Sequence, residues 1–404
     1  MASTNRALYL SHDGLTDPLG QSQILPYVTG LSAKGYQFTI ISFEKRNAHL
    51  ESKNLVALIC KNNNITWIPL LYHKSPPIVS TLYDLWVLRK TVDQVIQRDK
   101  ISILHCRSYP MSLVGLAAKR KWGVKFIFDM RGFWVDERVE GGLWNLNNLF
   151  YKIIYAYFKR KEKLFLKEAD YIISLTNNAK REIESWGLKT APIKVIPTCV
   201  DLQHFNPENI SNELRKKKRE ELGVDPTEFL LVYAGSWGTW YLTNEIIKFF
   251  RILKKENNKS KFLIITPDKI DQASQDIIIR RANRIEMPLL LSCANGCVFF
   301  IKNSFSKKAS SATKLGEMIA MNIPIVTNSG WGDINEYASE NVLILENMSD
   351  NQLRYGVRKL LNAKNTLKHT QIERLSLPFG VNLYNEVYQN LLGLQMPSEP
   401  NTIK

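Results

Sequence analysis

Short apolar runs alternate with stretches of helical spacing along almost the whole chain, and this alternation limits the fold more than any other feature. Runs such as KFIFD (Lys125–Asp129) and FLLVYA (Phe229–Ala234) are apolar on both faces, the pattern of strands covered by helices on each side of a parallel sheet. In the first half, strands are expected at Ala7–Ser11, Phe38–Phe43, Thr66–Leu70, Ile103–Cys106, Lys125–Asp129, Tyr171–Ser174 and Lys194–Ile196. Helical stretches lie between them at Gly20–Lys34, Leu82–Arg98, Met111–Trp122 and Asn177–Trp186. A second alternation runs through Phe229–Ala234, Phe262–Thr266, Val298–Ile301, Ile323–Thr327 and Val342–Leu345, with helices at Asn244–Lys255 and Asp350–Asn362. The expected class is α/β, with two doubly wound halves facing across a cleft and ligands at the carboxyl ends of the strands.

A length of 404 residues suits two domains. Residues 1–205 read as the first, 206–380 as the second, and 381–404 as a terminal helix crossing back to the first. The polar, basic stretch Thr198–Pro226 reads as the connection between them.

Hydrophobic residues make up 45% and charged residues 23% of the chain, a globular composition. No apolar run approaches the length of a membrane span, and the opening MASTNRALYLSHDG lacks the pattern of a secretory signal. Five scattered cysteines (Cys60, Cys106, Cys199, Cys293 and Cys297) suggest free thiols in a reducing cytoplasm. Cys293 and Cys297 flank a turn without a second ligand pair, so no metal is expected.

A net charge of +16 calls for an anionic partner. Nucleic acid is disfavoured, because no zinc finger, RNP strand or helix-turn-helix accompanies the basic clusters. Segment LFYKIIYAYFKRKEKLFLK (Leu149–Lys167) alternates rings and lysines at helical spacing. It fits either a core-facing amphipathic helix or one lying on an anionic membrane.

Several loops follow strands and carry chemistry. The stretch ASSATKLGEMIAMNIP (Ala309–Pro324) runs Ser310, Ser311 and Thr313 into a helix bearing Lys314 and Glu317 three apart. A helix N-terminus with a lysine and a carboxylate suits a phosphate beside a hydroxylated ring. The first loop, SHDGLTDPLGQSQ, offers Asp17, Gln21 and Ser22 but is no dinucleotide fingerprint, and no Walker-type loop occurs. The stretch DMRGFWVDERVE places Asp129, Arg131 and Asp136 beside Phe133 and Trp134, a setting for a sugar or for an ion-pair network pinning the loop. Arg107 ends the strand before it. In GSWGTWY (Gly235–Tyr241), the glycines allow backbone N–H groups to approach a ligand.

Together these pieces resemble one family. IPTCVDLQHF (Ile196–Phe205) is similar to the PNGVDxxxF junction of GT-B glycosyltransferases, with Thr198 and Cys199 in place of Asn and Gly. DPLGQSQILPYVTGLSAKGYQFTIISFEK, DMRGFWVDERVEGGLW, YAGSWGTWY and SSATKLGEMIAMNIPIVTNSGWGDI resemble a bacterial subgroup of glycosyltransferase family 4.

The resemblance implies two Rossmann-like domains and retaining transfer of a sugar from a nucleotide-sugar donor. The second domain would hold the donor, with Gly235, Ser236, Gly238, Thr239, Ser311, Thr313, Lys314 and Leu315 around it and Glu317 on the ribose. The first glutamate of the family's E-x7-E pattern falls at Ala309. Asp129, Arg131 and Asp136 would be the catalytic candidates, with Asp17, Gln21, Ser22 and Arg107 on the acceptor. No D-x-D motif is present, so metal-independent transfer is expected, with no cofactor beyond the sugar nucleotide. The acceptor would be a glycan or lipid-linked intermediate of cell-surface polysaccharide or glycolipid synthesis, met in the cytoplasm at the inner membrane face. A non-catalytic sugar-nucleotide or glycan-binding subunit, and an epimerase of the same fold, are the alternative readings.

Overall fold

The computed structural model describes residues 5–76, 78–270, 274–363 and 372–394. The chain forms two compact units, Met1–Pro197 with Pro378–Lys404, and Thr198–Leu377. The end of the expected terminal segment, residues 395–404, lies outside the described residues.

The first unit is built on strands β1 (Arg6–Ser11), β2 (Gln37–Glu44), β3 (Thr66–Leu71), β4 (Ile103–Arg107), β5 (Lys125–Asp129), β6 (Tyr171–Ser174) and β7 (Ile193–Val195). All pair in parallel, in the order β3-β2-β1-β4-β5-β6-β7. The second unit contributes β8 (Phe229–Ala234), β9 (Ser260–Ile265), β10 (Ile277–Arg280), β11 (Gly296–Val298), β12 (Ile325–Asn328) and β13 (Val342–Leu345). They are again parallel, in the order β10-β9-β8-β11-β12-β13. Parallel neighbours require crossovers, and helices supply the cover that makes Leu230–Ala234 and Phe262–Ile265 wholly buried. In each sheet the winding reverses once, between β1 and β4 and between β8 and β11. A doubly wound sheet opens a crevice at such a point.

Local chemistry explains where the elements differ from expectation. The helix expected over 20–34 is two helices, Pro18–Gln23 and Leu25–Ser32. Pro26 has no N–H to continue the first helix and sits readily in the first turn of the second. Strand β11 ends at Val298, short of the expected Ile301, because the side chain of Asn328 takes over the backbone of Ile301: its Oδ1 accepts from the Ile301 N–H (2.8 Å) and its Nδ2 donates to the Ile301 carbonyl (2.9 Å). The stretch 198–226 is no loose tether. It contains the helix Asn212–Glu221 and buries Phe205, Leu222 and Val224 in the core of the second unit.

The helix Leu377–Leu392 packs on the first unit. Val381 lies against Gly30, Tyr36 donates to Asn385 Oδ1 (3.0 Å), and Tyr388 stacks edge-on to Tyr36. The loop after β1 is pinned by one carboxylate. Buried Glu44 accepts from the backbone N–H of Leu15 (2.8 Å) and Thr16 (3.1 Å), from the Ser42 hydroxyl (2.6 Å) and from the Thr16 hydroxyl. Glu44→Ala strands these buried donors, and we predict a loss of about 3 kcal/mol in stability, read as a lower urea midpoint.

Candidate functional site

In the second unit the strongest feature is a buried cation. Lys314 lies in the first turn of the helix Thr313–Ala320 and is 7% exposed. Among the described residues its ammonium has no hydrogen-bond partner. Aromatic rings receive it instead: Tyr241 at 3.7 Å, Tyr233 at 4.4 Å and Phe299 at 5.6 Å from Nζ to ring centre. Cation–π attraction offsets part of the lost hydration. Burial still dominates and, against the opposing pull of Glu317, lowers the Lys314 pKa to about 7.

The loop after β8 leaves room for this side chain. Gly235 has φ +128°, and a Cβ there would stand 2.5 Å from Lys314 Nζ. The residue capping the helix is Ala312, with no side-chain cap, so the N–H groups of its first turn lack a side-chain acceptor. Half-buried Glu317 follows one turn later. Burial raises its pKa, opposed by the charges of Arg284 and Lys314. Lys307 rests 3.6 Å over the ring of Trp240 in the same loop region.

The first unit gathers a second cluster at the ends of β4 and β5. Asp129 is fully buried. Its Oδ2 accepts from His105 Nε2 (3.3 Å) and the Tyr384 hydroxyl (3.4 Å), while Arg131 Nη1 stands 4.0 Å from Oδ1. Burial alone would raise its pKa, but Arg131, the His105 hydrogen bond and Arg107 outweigh that and hold it below the ordinary carboxylate value. Burial lowers the pKa of His105 and keeps Tyr388 protonated. The Tyr388 hydroxyl therefore donates to His105 Nδ1 (2.9 Å), leaving Nε2–H to face Asp129. Arg107 Nη2 (3.0 Å) and Arg131 Nη2 (2.8 Å) donate to one oxygen, Gln23 Oε1. Arg131 has φ +56° and Ser108, beside Arg107, has φ +70°. Such conformations cost on the order of 1–3 kcal/mol each and gather at functional sites.

Residues 23–204 match the sequence model of Glycosyltransferase Family 4. Over that stretch the chain is similar to glycosyltransferase family 4, and its fold is GT-B. Among solved structures, a glycosyltransferase from Rickettsia africae superposes with a TM-score of 0.68 at 15% identity, over 96% of this chain and 99% of that one. HepE of Anabaena in complex with UDP-glucose gives 0.68 at 12% identity, covering 96% and 100%. WaaG, a glycosyltransferase involved in lipopolysaccharide biosynthesis, gives 0.64 at 13% identity, also covering 96% and 100%. At these identities the likeness is one of fold. Among curated proteins, none matches the sequence.

The other residues singled out from the sequence fall into distinct settings. Ser236 and Thr239 are exposed on the loop after β8, where Gly238 and Thr239 have positive φ. Ser311 accepts from the Thr198 N–H (3.0 Å), so its hydroxyl anchors the start of the second unit rather than capping the helix. Thr313 opens the helix, Leu315 belongs to the core, and Ala309 is buried just before it.

In the first unit, the stretch from Trp134 to Glu140 is helical. Asp136 turns from Asp129 toward the helix Leu149–Glu168, accepting from Tyr155 (2.8 Å) and Lys159 (2.9 Å). Asp17 pairs with Lys45 (2.9 Å), Gln21 donates to the Thr16 carbonyl and Ser22 to the Pro18 carbonyl. None of these three meets the arginine pair; Gln23 does. Sequence reasoning also missed His105, Tyr384 and Tyr388. A polar His inside the apolar run ILHCR was the signal available for the first. The tyrosines lie far along the chain, with nothing local to mark them.

Lys314 carries a testable cost. Its pKa is depressed in the folded chain, so between about pH 7 and the ordinary lysine value the unfolded chain holds the extra proton, and stability rises with pH. We predict that Lys314→Met raises Tm, most strongly below pH 7, with the gain shrinking as the pH climbs toward 10. Calorimetric melts across that range measure it.

Proposed function

We propose that this glycosyltransferase moves a sugar, with retention, from a nucleoside-diphosphate donor held on the second unit to an acceptor held at the strand ends of the first. The observation that carries the reading is the unpartnered Lys314 ammonium beside the uncapped start of the helix Thr313–Ala320. Helix N–H groups and a lysine together stabilise the charge that builds on a departing diphosphate. Glu317, with its pKa raised by burial, suits contact with ribose hydroxyls. The UDP-glucose bound by HepE supports a donor of this class.

Same-face attack, with the leaving phosphate taking the acceptor's proton, fits a site whose carboxylate Asp129 is fully buried. Transfer of this kind requires no cofactor beyond the sugar nucleotide. Among the described residues, no three His, Cys, Asp or Glu side chains gather as a metal-binding group. With Ala309 at the first position of E-x7-E, contacts to the donor sugar must come from other groups.

A thermal-shift screen of uridine-, guanosine-, cytidine- and thymidine-diphosphate sugars tests the donor site. A ligand at a hundredfold excess over its Kd adds about 2.7 kcal/mol to stability. We predict stabilisation by one base class, lost in Glu317→Ala and Lys314→Ala. No shift with any donor would count against the reading. Binding without turnover would favour a sugar-nucleotide-binding subunit, and donor conversion without any acceptor would favour an epimerase.

We further propose that the enzyme works in the cytoplasm at an anionic membrane face, on a lipid-linked or glycan acceptor of cell-surface polysaccharide synthesis. WaaG, with its role in lipopolysaccharide biosynthesis, lends support by likeness of fold. No described helix is long and apolar enough to cross a membrane. The helix Leu149–Glu168 buries Phe165 and Leu166 at its C-terminal end, while Leu149, Phe150, Ile153 and Tyr157 at its other end are exposed beside Lys152 and Arg160. Lys159 is not part of that exposed face, because it is bonded to Asp136 and Glu162 (2.9 and 2.6 Å). Apolar rings among basic residues suit an interfacial helix. We predict that Phe150→Asp with Ile153→Asp weakens flotation with anionic liposomes at least tenfold and leaves donor binding intact. Unchanged flotation would sink the idea.

A further inference from the structure

We propose that Arg107 and Arg131 form a binding site for an anionic group on the acceptor, a phosphate or a carboxylate, with Gln23 in the anion's place until it arrives. The inference rests on the reading of the first unit as the acceptor side. Two guanidinium groups converge on a single neutral oxygen, Gln23 Oε1, at 3.0 and 2.8 Å. Two cations brought this close repel, and a neutral amide oxygen compensates them far less than an anionic oxygen does. The nearby carboxylates are more distant. Asp13 Oδ2 stands 3.4 Å from Arg107 Nε and its side chain is 41% exposed. Asp129 Oδ1 stands 4.0 Å from Arg131 Nη1.

Arg107 is 4% exposed, yet among the described residues its Nη1 has no hydrogen-bond partner. A buried N–H without an acceptor is a standing cost that a bound anion removes. Planar guanidinium forks also match the paired oxygens of phosphate and carboxylate. The place is right for a ligand. Arg107 ends β4 beside the point where the winding of the first sheet reverses, where such sheets open their binding crevice. Arg131 is held in the left-handed region, φ +56°, one residue beyond the next neighbour of β5's end. Gln23 is only half-buried and closes the short helix Pro18–Gln23, so a turn of its side chain uncovers the Nη2 groups of both arginines.

Isothermal titration of methyl phosphate and of glucuronate into the full chain, at low salt, tests the site. Gln23→Glu sets a fixed carboxylate between the arginines, and Arg131→Lys removes one fork. Both are expected to weaken anion binding at least tenfold. Gln23→Glu is also expected to raise Tm, which separates lost binding from lost folding. Tighter binding of methyl phosphate in the wild type assigns a phosphorylated acceptor, and tighter binding of glucuronate an acidic-sugar acceptor. Equal affinity in wild type and both variants overturns the proposal, as does binding of neither anion by the wild type. Glu317-dependent binding of a nucleotide sugar in the same preparations would show the functional reading standing while this one falls.

Discussion

Every strand in both sheets runs parallel to its neighbours, and the rest of the molecule follows from that. A parallel sheet must bury both faces and return each connection over the top. Apart from the outer sides of the edge strands, the polar backbone that the sheet cannot use internally lies at its ends. Several of the candidate residues accordingly lie at the carboxyl edge: Arg107, Asp129 and Arg131 on one sheet, and the loop from Gly235 to Tyr241 on the other. In the second unit the lysine facing that loop comes from a helix start, because the loop itself carries no basic residue.

Both clusters hold charge where water is scarce, by different means. Lys314 is wrapped in rings and, among the described residues, its ammonium has no hydrogen-bond partner, so burial shifts it toward neutrality. The arginines cannot do that, because guanidinium keeps its proton under any ordinary burial. They are held instead by a shared amide oxygen and by long contacts to Asp13 and Asp129. Neither arrangement is what stability alone would select. Each leaves a buried donor unpaired, as expected where function and stability compete.

The sheets were legible in the sequence because a strand covered on both faces must be apolar throughout. Edge strand β10 (Ile277–Arg280) escaped notice because its apolar run is only Ile277, Ile278 and Ile279, cut off at once by Arg280 and Arg281. The helix Arg46–Asn62 was missed for a related reason. It buries only Val56 and Cys60 and leaves Leu50, Leu55 and Leu58 in solvent. At the candidate site, the loops were readable from their strand-end positions, and Arg107, Asp129 and Arg131 do lie together. Which glutamine meets them was not readable. Gln21 and Gln23 stand two apart on one short helix, so about 200° of helical rotation separates them, and Gln23, not Gln21, meets the arginines. Asp136 resembled its neighbours in the chain, but its role depends on Tyr155 and Lys159, which reach it from another helix.

The helix Leu377–Leu392 supplies Tyr384 and Tyr388 to a cluster otherwise made from the first third of the chain. This has a consequence for biosynthesis. The first unit leaves the ribosome early, but its interior lacks two of its tyrosines until the last helix is made. At ordinary elongation rates the whole of the second unit is synthesised in the meantime, a wait of roughly 10–40 s. Through that interval the faces of Gly30, Tyr36 and His105 that the helix covers stand open. The nascent first unit is thus an incomplete fold until the helix Leu377–Leu392 docks.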